Sequence, residues 1–313
     1  MTMAAQQARL DVELVRRGIA RSRQRAAELV VEGRVRVNGE VMNKPSCPVL
    51  ADAQLDVEEA AGAQFVSRGA RKLDGALAAL TLLTAEPPRI AGALCLDAGA
   101  STGGFTQVLL ERGAAHVLAV DVGRGQMDSL IAHDPRVTAW EATNIRDLTP
   151  ADLPGRPALV VADLSFISLT VVAGVLIGLT APGGHLLLMV KPQFEVGRGR
   201  LGSRGVVTSP ALRQEAVLGV ARSALENGAH VRAVVPSPLA GPSGNQEYFL
   251  WLVAPAEQTD ARSGTRPQAD LVDAVRRAVV EGSATLVGPP RHAPTGTSDR
   301  ETGPSVRSQG SRS

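Results

Sequence analysis

One stretch of the sequence, ALCLDAGASTGGF at residues 93–105, restricts the fold more than any other. Apolar residues lead into Asp97, a loop of small residues follows, and an apolar helical pattern begins near residue 104. Glycines allow a ligand to lie against the main chain, and the first N–H groups of a helix have no partner inside the helix. The stretch therefore predicts a strand, a cofactor-binding loop and a helix. The candidate cofactor-binding residues in it are Asp97, Gly99, Ser101, Thr102, Gly103, Gly104 and Phe105.

A second strand, HVLAVD, ends at Asp121. This acid lies about twenty residues beyond the loop, where a carboxylate can accept hydrogen bonds from both hydroxyls of a ribose. The strict dinucleotide fingerprint is not met, because Ser101 takes the place of its middle glycine. Asp97 is placed to receive an amino group or a bound water, and the loop lacks the pattern expected for a pyrophosphate. These features favour S-adenosylmethionine, which has a cationic sulfonium and no phosphate, over NAD, and the plain alternative is an ordinary α/β turn.

Polar residues follow the later strands as well. The third strand pattern, VTAWEATNIRDL, places Asn144 just past its end, where an amide can recognise an adenine edge. The fourth ends at Asp163 before a predicted helix start at Ser165, the fifth runs to Lys191, and Glu247 stands at the mouth of the last. Ligands of open α/β sheets bind at the carboxyl ends of parallel strands, so we expect these groups to share one crevice. Each also has an ordinary interpretation, Asp163 as a helix cap and Lys191 and Glu247 as exposed charges.

Composition sets further bounds. The chain has 313 residues and is 44% hydrophobic, which is ample for one α/β domain and a smaller one. Its formal net charge of +2 is too small by itself to indicate a polyanionic partner. Cys47 and Cys95 lie far apart, so we expect no disulfide and a reducing, cytoplasmic compartment. The N-terminus lacks a secretory pattern, and Pro182 with two glycines interrupts the apolar stretch 170–190. We therefore expect no membrane span and, without a His/Cys cluster, no metal.

Residues 9–59 have the pattern of a separate small module. Two short helical patterns carry apolar faces, and the arginines between them have no acid among them. After Gly33, RVRVNGEV predicts a hairpin with an Asn38-Gly39 turn. This segment resembles the RNA-binding domain named after ribosomal protein S4, which implies that its arginines contact phosphates, because arginine forks suit phosphate oxygens. The RNA-binding candidates are Arg16, Arg17, Arg21, Arg23, Arg25, Arg34, Arg36 and Arg68.

The span from Phe65 to Val253 resembles the TlyA (hemolysin A) branch of the FtsJ-like 2'-O-methyltransferases. It carries SRGARKL, DAGASTGGF, VDVGRGQ, ADLSFISL, VKPQFE and GNQEYF in the order of that family. The resemblance implies a Rossmann-like α/β sheet of seven strands with the last one antiparallel, and S-adenosyl-L-methionine as cofactor. It also implies methylation of ribose 2'-hydroxyls, cytidine in particular, on ribosomal RNA of the small subunit, the large subunit or both. By motif it assigns the catalytic roles to Lys72, Asp163, Lys191 and Glu247.

These residue types suit an in-line methyl transfer. We expect Lys191 nearest the 2'-hydroxyl, either as its base or as the donor that stabilises developing alkoxide charge. Asp163 then orients Lys191 or lies near the sulfonium methyl as a cofactor-binding residue, and Glu247 holds Lys72 and the ribose. The sequence leaves open which lysine accepts the proton.

The predicted domains are an S4-like domain at 1–60, a linker at 61–68, a methyltransferase domain at 69–255, and a tail at 256–313 with one helix at 269–282 and otherwise disordered. Two other functions fit parts of the sequence. One is a ribosome or RNA assembly factor that keeps a methyltransferase fold without catalysis, which a methylation assay would reveal. The other is a pseudouridine synthase, which can carry a similar N-terminal domain and which measurable S-adenosylmethionine binding would exclude. The target nucleotide and the oligomeric state are left open.

Overall fold

The structure is a computed structural model, and part of the chain lies outside what it describes. It leaves out residues 61–64 of the predicted linker, Arg21, the side chain of Arg25 and the residues after 287, where disorder is predicted. The described residues are 7–20, 23–31, 33–58, 65–202, 205–256 and 268–287.

The N-terminal domain has two helices, α1 (Leu10–Arg16) and α2 (Arg23–Val31), whose apolar faces pack together over a small sheet. Leu10, Leu14 and Val30 are fully buried there. Its strands are β1 (Gln7–Arg9), β2 (Val35–Val37), β3 (Glu40–Met42), β4 (Pro48–Leu50) and β5 (Leu55–Val57). β1 pairs with β4, and β2 lies between β3 and β5, all antiparallel.

The predicted hairpin in this domain is confirmed. Asn38 and Gly39, which join β2 to β3, have φ angles of 51° and 86°. A two-residue hairpin turn whose twist matches that of its strands needs positive φ at both positions, and Asn followed by Gly is the pair that adopts it most easily.

A mixed sheet of eight strands forms the second domain. Its order is β13-β11-β12-β10-β9-β6-β7-β8, in which β6 to β10 are mutually parallel and β12 runs antiparallel to β10 and β11. These strands are β6 (Leu94–Ala98), β7 (His116–Val120), β8 (Val137–Trp140), β9 (Leu159–Ala162), β10 (His185–Val190), β11 (His230–Pro236), β12 (Tyr248–Val253) and β13 (Thr285–Leu286). The seven predicted strands are all present, and β13 adds one more at the edge.

Helices cover both faces of this sheet because its strands are apolar on both sides. Along β9, Leu159 and Val161 pack toward one face, while Val160 and Ala162 pack toward the other, as a pleat requires. α3 and α4 cover the first face, and α6, α8 and α9 cover the second. The helices are α3 (Arg68–Leu83), α4 (Gly104–Glu111), α5 (Ser129–Ala132), α6 (Leu169–Leu179), α7 (Pro192–Glu195), α8 (Pro210–Glu226) and α9 (Gln268–Arg276).

The predicted tail helix is present, and it packs on the sheet domain although it lies beyond the predicted domain boundary at residue 255. α9 continues as a π-helical turn, Arg277–Glu281, and β13 follows and pairs with β11. Leu271, Val275 and Ala278 are buried in the same core as α6 and α8. Residues 268–287 therefore belong to the sheet domain, because their apolar face completes its second layer.

The apolar stretch 170–190 lies in α6, a turn that contains Pro182, and β10. Across the described part of the chain, no helix combines the length and apolar character needed to cross a bilayer.

Candidate active site

The catalytic candidates line one cavity of about 500 Å³ above the carboxyl ends of β6, β9 and β10. The parallel register brings Ala98 beside Ala162 and Leu188 beside Ala162 in turn, so the residues that follow these strands emerge along one rim. The cavity also receives the first turns of α3 from one side and the segment before β12 from the other. The catalytic candidates on its wall are Lys72, Asp163, Lys191 and Glu247.

Lys72 and Glu247 form a buried ion pair. Lys72 Nζ donates to Glu247 Oε2 at 2.6 Å, and the two side chains are only 7% and 1% exposed. Lys72 lies in the second turn of α3, which begins at Arg68. Removing either partner would leave an uncompensated charge out of water, so the two residues depend on each other.

Lys191 and Asp163 form a second pair, at the ends of adjacent parallel strands. Lys191 Nζ lies 2.6 Å from Asp163 Oδ1 and also donates to Ser165 Oγ at 2.8 Å. Ser165 was predicted only as a helix start, but α6 begins at Leu169 and is capped by Ser168. Ser165 is therefore a site residue that the sequence did not reveal, since its contact joins segments separated by the whole of α6.

The glycine loop forms a further part of the cavity wall, next to Asp163. Gly99 has a φ of 85°, and a Cβ there would lie 2.7 Å from the carbonyl oxygen of Asp163. Only glycine allows the loop to approach β9 this closely. Gly103 also has positive φ and precedes α4, but it does not line the cavity. The cofactor candidates that line it are Gly99, Ser101, Thr102, Gly104, Phe105 and Asp163.

Asp97 lies beneath the loop and does not line the cavity. Its carboxyl is fully buried, Oδ2 accepts from Thr106 Oγ1 at 2.7 Å, and Oδ1 has no hydrogen-bond partner among the described residues. Burial raises the pKa of Asp97 to about 7, with Asp163 and Asp121 adding to the rise and Thr106 opposing it.

Asp121 and Asn144 do not line this cavity either. Asp121 accepts from the backbone N–H of Ser101 at 2.8 Å and of Gly123 at 2.7 Å. Its carboxylate therefore holds the glycine loop in place through Ser101. Asn144 is exposed and caps a short 3-10 turn by accepting from the N–H of Arg146. These hydrogen bonds use only part of each side chain's capacity. Asp121 can still accept further hydrogen bonds, and Asn144 can still donate and accept them.

Aromatic residues at the mouth of the cavity were not predicted as site residues. Phe166 is 92% exposed, has a φ of 66° and lies with its ring centroid 5.3 Å from that of Phe194. A large exposed aromatic residue in left-handed backbone is unusual. Positive φ costs conformational free energy, and a ring exposed to water gains little from packing to offset that cost. Arg68, an RNA-binding candidate, also lines the cavity and donates to the carbonyl of Ala240.

The expectation that the N-terminal arginines lack partner acids is wrong. Glu13, 1% exposed, accepts from Arg16 at 2.6 Å and from Arg17 at 2.7 Å. Asp11 in the same way pairs with Arg9 at 2.9 Å and Arg23 at 3.4 Å. The sequence signal was available, since Glu13 precedes its partners by the helical spacings of three and four residues.

Arg17, Arg34 and Arg36 are also engaged within this domain. Arg17 donates to the carbonyl of Ala53 at 2.6 Å, Arg34 to that of Glu58 at 2.8 Å, and Arg36 pairs with the Glu58 carboxylate at 2.8 Å. Arg16 and Arg23 keep 60% and 62% of their side chains exposed, so their guanidinium groups remain accessible to a partner from solvent.

The fold and the cavity together define an α/β methyltransferase domain that follows a small basic domain. Residues 65–254 match the FtsJ-like methyltransferase family, and residues 8–55 match the S4 domain. The chain belongs to the FtsJ-like methyltransferases and, within them, to the TlyA group.

Two curated relatives and a solved structure resemble most of the chain. A 16S/23S rRNA (cytidine-2'-O)-methyltransferase TlyA of Mycobacterium tuberculosis is 52% identical over 89% of this chain and 99% of its own length. Hemolysin A of Brachyspira hyodysenteriae is 30% identical over 78% of this chain and 99% of its own. A structure assigned to the hemolysins, from Streptococcus thermophilus, has a TM-score of 0.64 and 33% identity and covers 88% of this chain and 96% of that one.

Proposed function

We propose that this protein methylates the 2'-hydroxyl of ribose, on cytidine of ribosomal RNA, with S-adenosyl-L-methionine as donor. One observation carries the proposal: two amine–carboxylate pairs and a glycine loop line a single cavity in a chain of the FtsJ-like family. The cytidine and the ribosomal RNA come from the activity of the Mycobacterium tuberculosis relative. Because the substrate is ribosomal RNA, we place the activity in the cytoplasm.

The residues around the loop fit the cofactor. The glycines permit close approach of a ligand to the main chain, and Phe105 lines the same wall. Carboxylates surround this wall, with Asp97 below it and Asp163 beside it, and they suit a ligand that carries cationic groups. Bound S-adenosylmethionine supplies a methyl group made electrophilic by a sulfonium, so the protein needs only to orient the hydroxyl and manage its charge.

Lys191 is the residue that we assign to the 2'-oxygen. Its ion pair with Asp163 fixes its ammonium group at the cavity wall, and this position suits it to stabilise negative charge as the hydroxyl loses its proton. Ser165 and Asp163 fix its direction. We assign uptake of the hydroxyl proton to Asp163, the carboxylate that contacts Lys191. Glu247 pairs with Lys72, which brings a second ammonium group to the cavity, and we assign this pair to binding the ribose.

Substitution of Lys191 by Ala tests this assignment. We expect methyl transfer to ribosomal subunits to fall at least about a hundredfold, because a preorganised donor to a developing oxyanion is lost. Binding of S-adenosylmethionine, measured by calorimetry, should stay close to that of the wild type. Arg222→Ala, an exposed change on α8, is the matched control.

Near-normal turnover of Lys191→Ala would remove Lys191 from the mechanism. Undetectable turnover of the wild-type protein on either subunit, with cofactor bound, would instead favour a non-catalytic assembly factor. Absence of S-adenosylmethionine binding in the wild type would contradict the cofactor.

A further inference from the structure

Two neighbouring segments of the chain bring catalytic candidates to the cavity. The first, residues 163–168, joins β9 to α6 and carries Asp163, Ser165 and Phe166. The second, residues 191–195, consists of Lys191 and the single turn of α7. We call them the β9–α6 segment and the β10–α7 segment. Their relative position decides how Lys191 meets its partners, so a contact that joins them elsewhere also affects the active site.

The β9–α6 segment has little support from its own backbone. Residues 164–167 form no backbone–backbone hydrogen bond with any described residue. Phe166 has a φ of 66°, a conformation that costs a non-glycine residue free energy and persists only where surrounding contacts fix it. Leu164 and Ile167 pack partly against the core, but the rest of the segment depends on side chains from other elements.

Glu195, the last residue of α7, joins the two segments. Its carboxylate accepts through Oε2 from the hydroxyl of Ser168, and through Oε1 from the backbone N–H of Leu169 at 2.9 Å. Both carboxylate oxygens are therefore engaged at the end of the β9–α6 segment. Glu195 lies 27 residues from Ser168 in the sequence, so the fold alone brings the two together.

Capping of α6 does not by itself account for this carboxylate. The helix has a cap of its own, because Ser168 Oγ accepts from the N–H of Thr170 at 3.1 Å. Glu195 is half-buried, and burial raises its pKa while its hydrogen bonds with Ser168 and Leu169 oppose the rise. No cation pairs with it among the side chains that the structure describes. Burial of an unpaired carboxylate costs free energy, which a neutral capping residue would avoid.

The contact of Glu195 lies at the far end of a row that begins at the catalytic lysine. At the near end, Lys191 Nζ lies 2.6 Å from Asp163 and 2.8 Å from Ser165. The two aromatic rings at the cavity mouth lie between these ends, with centroids 5.3 Å apart. Because α7 is a single turn that begins at the buried Pro192, Lys191 and Glu195 are held in one short unit. Release of one end would therefore disturb the other.

We propose that Glu195 is a positioning residue for methyl transfer, which fixes the β9–α6 segment and so sets Asp163 and Ser165 against the ammonium group of Lys191. This inference rests on the proposed function. Glu195 does not line the cavity, so it acts through these residues and not on the substrate or cofactor. Its loss should therefore lower the rate of transfer while leaving the binding of both ligands unchanged.

Methylation kinetics with ribosomal subunits give the first test. In Glu195→Ala we expect kcat to fall about ten- to a hundredfold, because Lys191 and its partners are no longer held in register, with KM and the affinity for S-adenosylmethionine unchanged. Glu195→Gln keeps a carbonyl oxygen that can accept from the N–H of Leu169, and it should recover most of this loss. Glu226→Gln, a change of an exposed acid on α8, is the matched control.

A second readout does not depend on the reaction. The sequence has only three lysines, Lys44, Lys72 and Lys191, so NMR of the full-length protein labelled with ¹³C at lysine Cε gives one signal from each. Lys44→Arg and Lys191→Ala assign these signals. We expect Glu195→Ala to move the Lys191 signal and leave that of Lys72 in place, because Lys72 pairs with Glu247 outside both segments. In Glu195→Gln the Lys191 signal should stay close to its position in the wild type.

The proposal is overturned if Glu195→Ala keeps kcat within about twofold of the wild type, if the loss lies in KM, if Glu195→Gln is as slow as Glu195→Ala, or if the Lys191 signal does not move. An inactive wild type would contradict the proposed function, whereas an active wild type with an unaffected Glu195→Ala contradicts this inference alone.

Should Glu195→Ala fail to fold, Ser168→Gly decides. It removes one of the two hydrogen bonds to Glu195, and glycine costs a helix N-terminus only a few tenths of a kcal/mol relative to serine. We expect kcat to fall and the Lys191 signal to move as in Glu195→Ala, by smaller amounts. An unchanged kcat with an unchanged signal would overturn the proposal.

Discussion

At the scale of single residues, the candidate active site depends on how its charges are neutralised. Each lysine lies 2.6 Å from a carboxylate, Lys72 from Glu247 and Lys191 from Asp163. Without these partners, two amines in one cavity would repel each other and a cationic cofactor. Paired as they are, both keep N–H donors for a substrate oxygen.

Asp97 gives a prediction in pH. Its pKa is raised from 3.8 to about 7, so the folded protein binds this proton more tightly than the unfolded chain. The stability that the protonated group contributes is fully present below pH 3.8 and is lost as the pH rises through about 7. Asp97→Asn keeps a neutral acceptor for Thr106 and lacks this titration.

We therefore expect the free energy of unfolding of the wild type to fall relative to that of Asp97→Asn between pH 4 and 7, by at most about 1.4 kcal/mol per pH unit. Urea unfolding of both proteins at several pH values within this window measures the difference. A difference that does not change with pH would show that Asp97 titrates at its ordinary value in the folded protein.

At the scale of elements, α1 orients its arginines through buried acids. Arg16 and Arg17 lower the pKa of Glu13 to about 2, so this carboxylate stays charged at neutral pH and holds both guanidinium groups. Fixed arginines lose less conformational entropy when they contact phosphate than free ones do.

Glu13→Gln should accordingly weaken binding to a structured fragment of ribosomal RNA, although it removes a negative charge. Glu40→Gln, an exposed acid on β3 of the same domain, should leave RNA affinity unchanged or raise it slightly. Filter binding at one fixed salt concentration compares the two variants with the wild type. Equal or tighter RNA binding by Glu13→Gln would mean that the acid only compensates charge.

Helix α9 is expected to be as important to stability as the central helices. Leu271 is 4% exposed in the shared core, whereas Val272, on the same helix, is 40% exposed. Leu271→Ala should lower the free energy of unfolding by about 2–4 kcal/mol, and Val272→Ala by much less. Urea unfolding of both variants measures the loss in the free energy of unfolding. Similar losses for the two variants would contradict the packing of this helix on the sheet.

At the scale of the whole molecule, much of the architecture was predictable because its signals are local. A pattern of only a few residues predicts each of three features: the Asn38-Gly39 turn, the strand leading to Asp97 and the glycine loop. The contact of Ser165 with Lys191 was not predictable, because it depends on side-chain directions across two strands. β13 was missed for a related reason, since it forms only where the tail meets the distant strand β11.

The central claim is that the paired lysines and carboxylates serve transfer of a methyl group to a ribose 2'-oxygen of ribosomal RNA. The most direct test maps 2'-O-methyl groups on ribosomal RNA from cells that lack the protein, and from the same cells supplied with wild type or Lys191→Ala. We predict at least one cytidine whose 2'-O-methyl group is lost with the protein, restored by the wild type and not restored by Lys191→Ala. Identical maps with and without the protein, or full restoration by Lys191→Ala, would contradict this account.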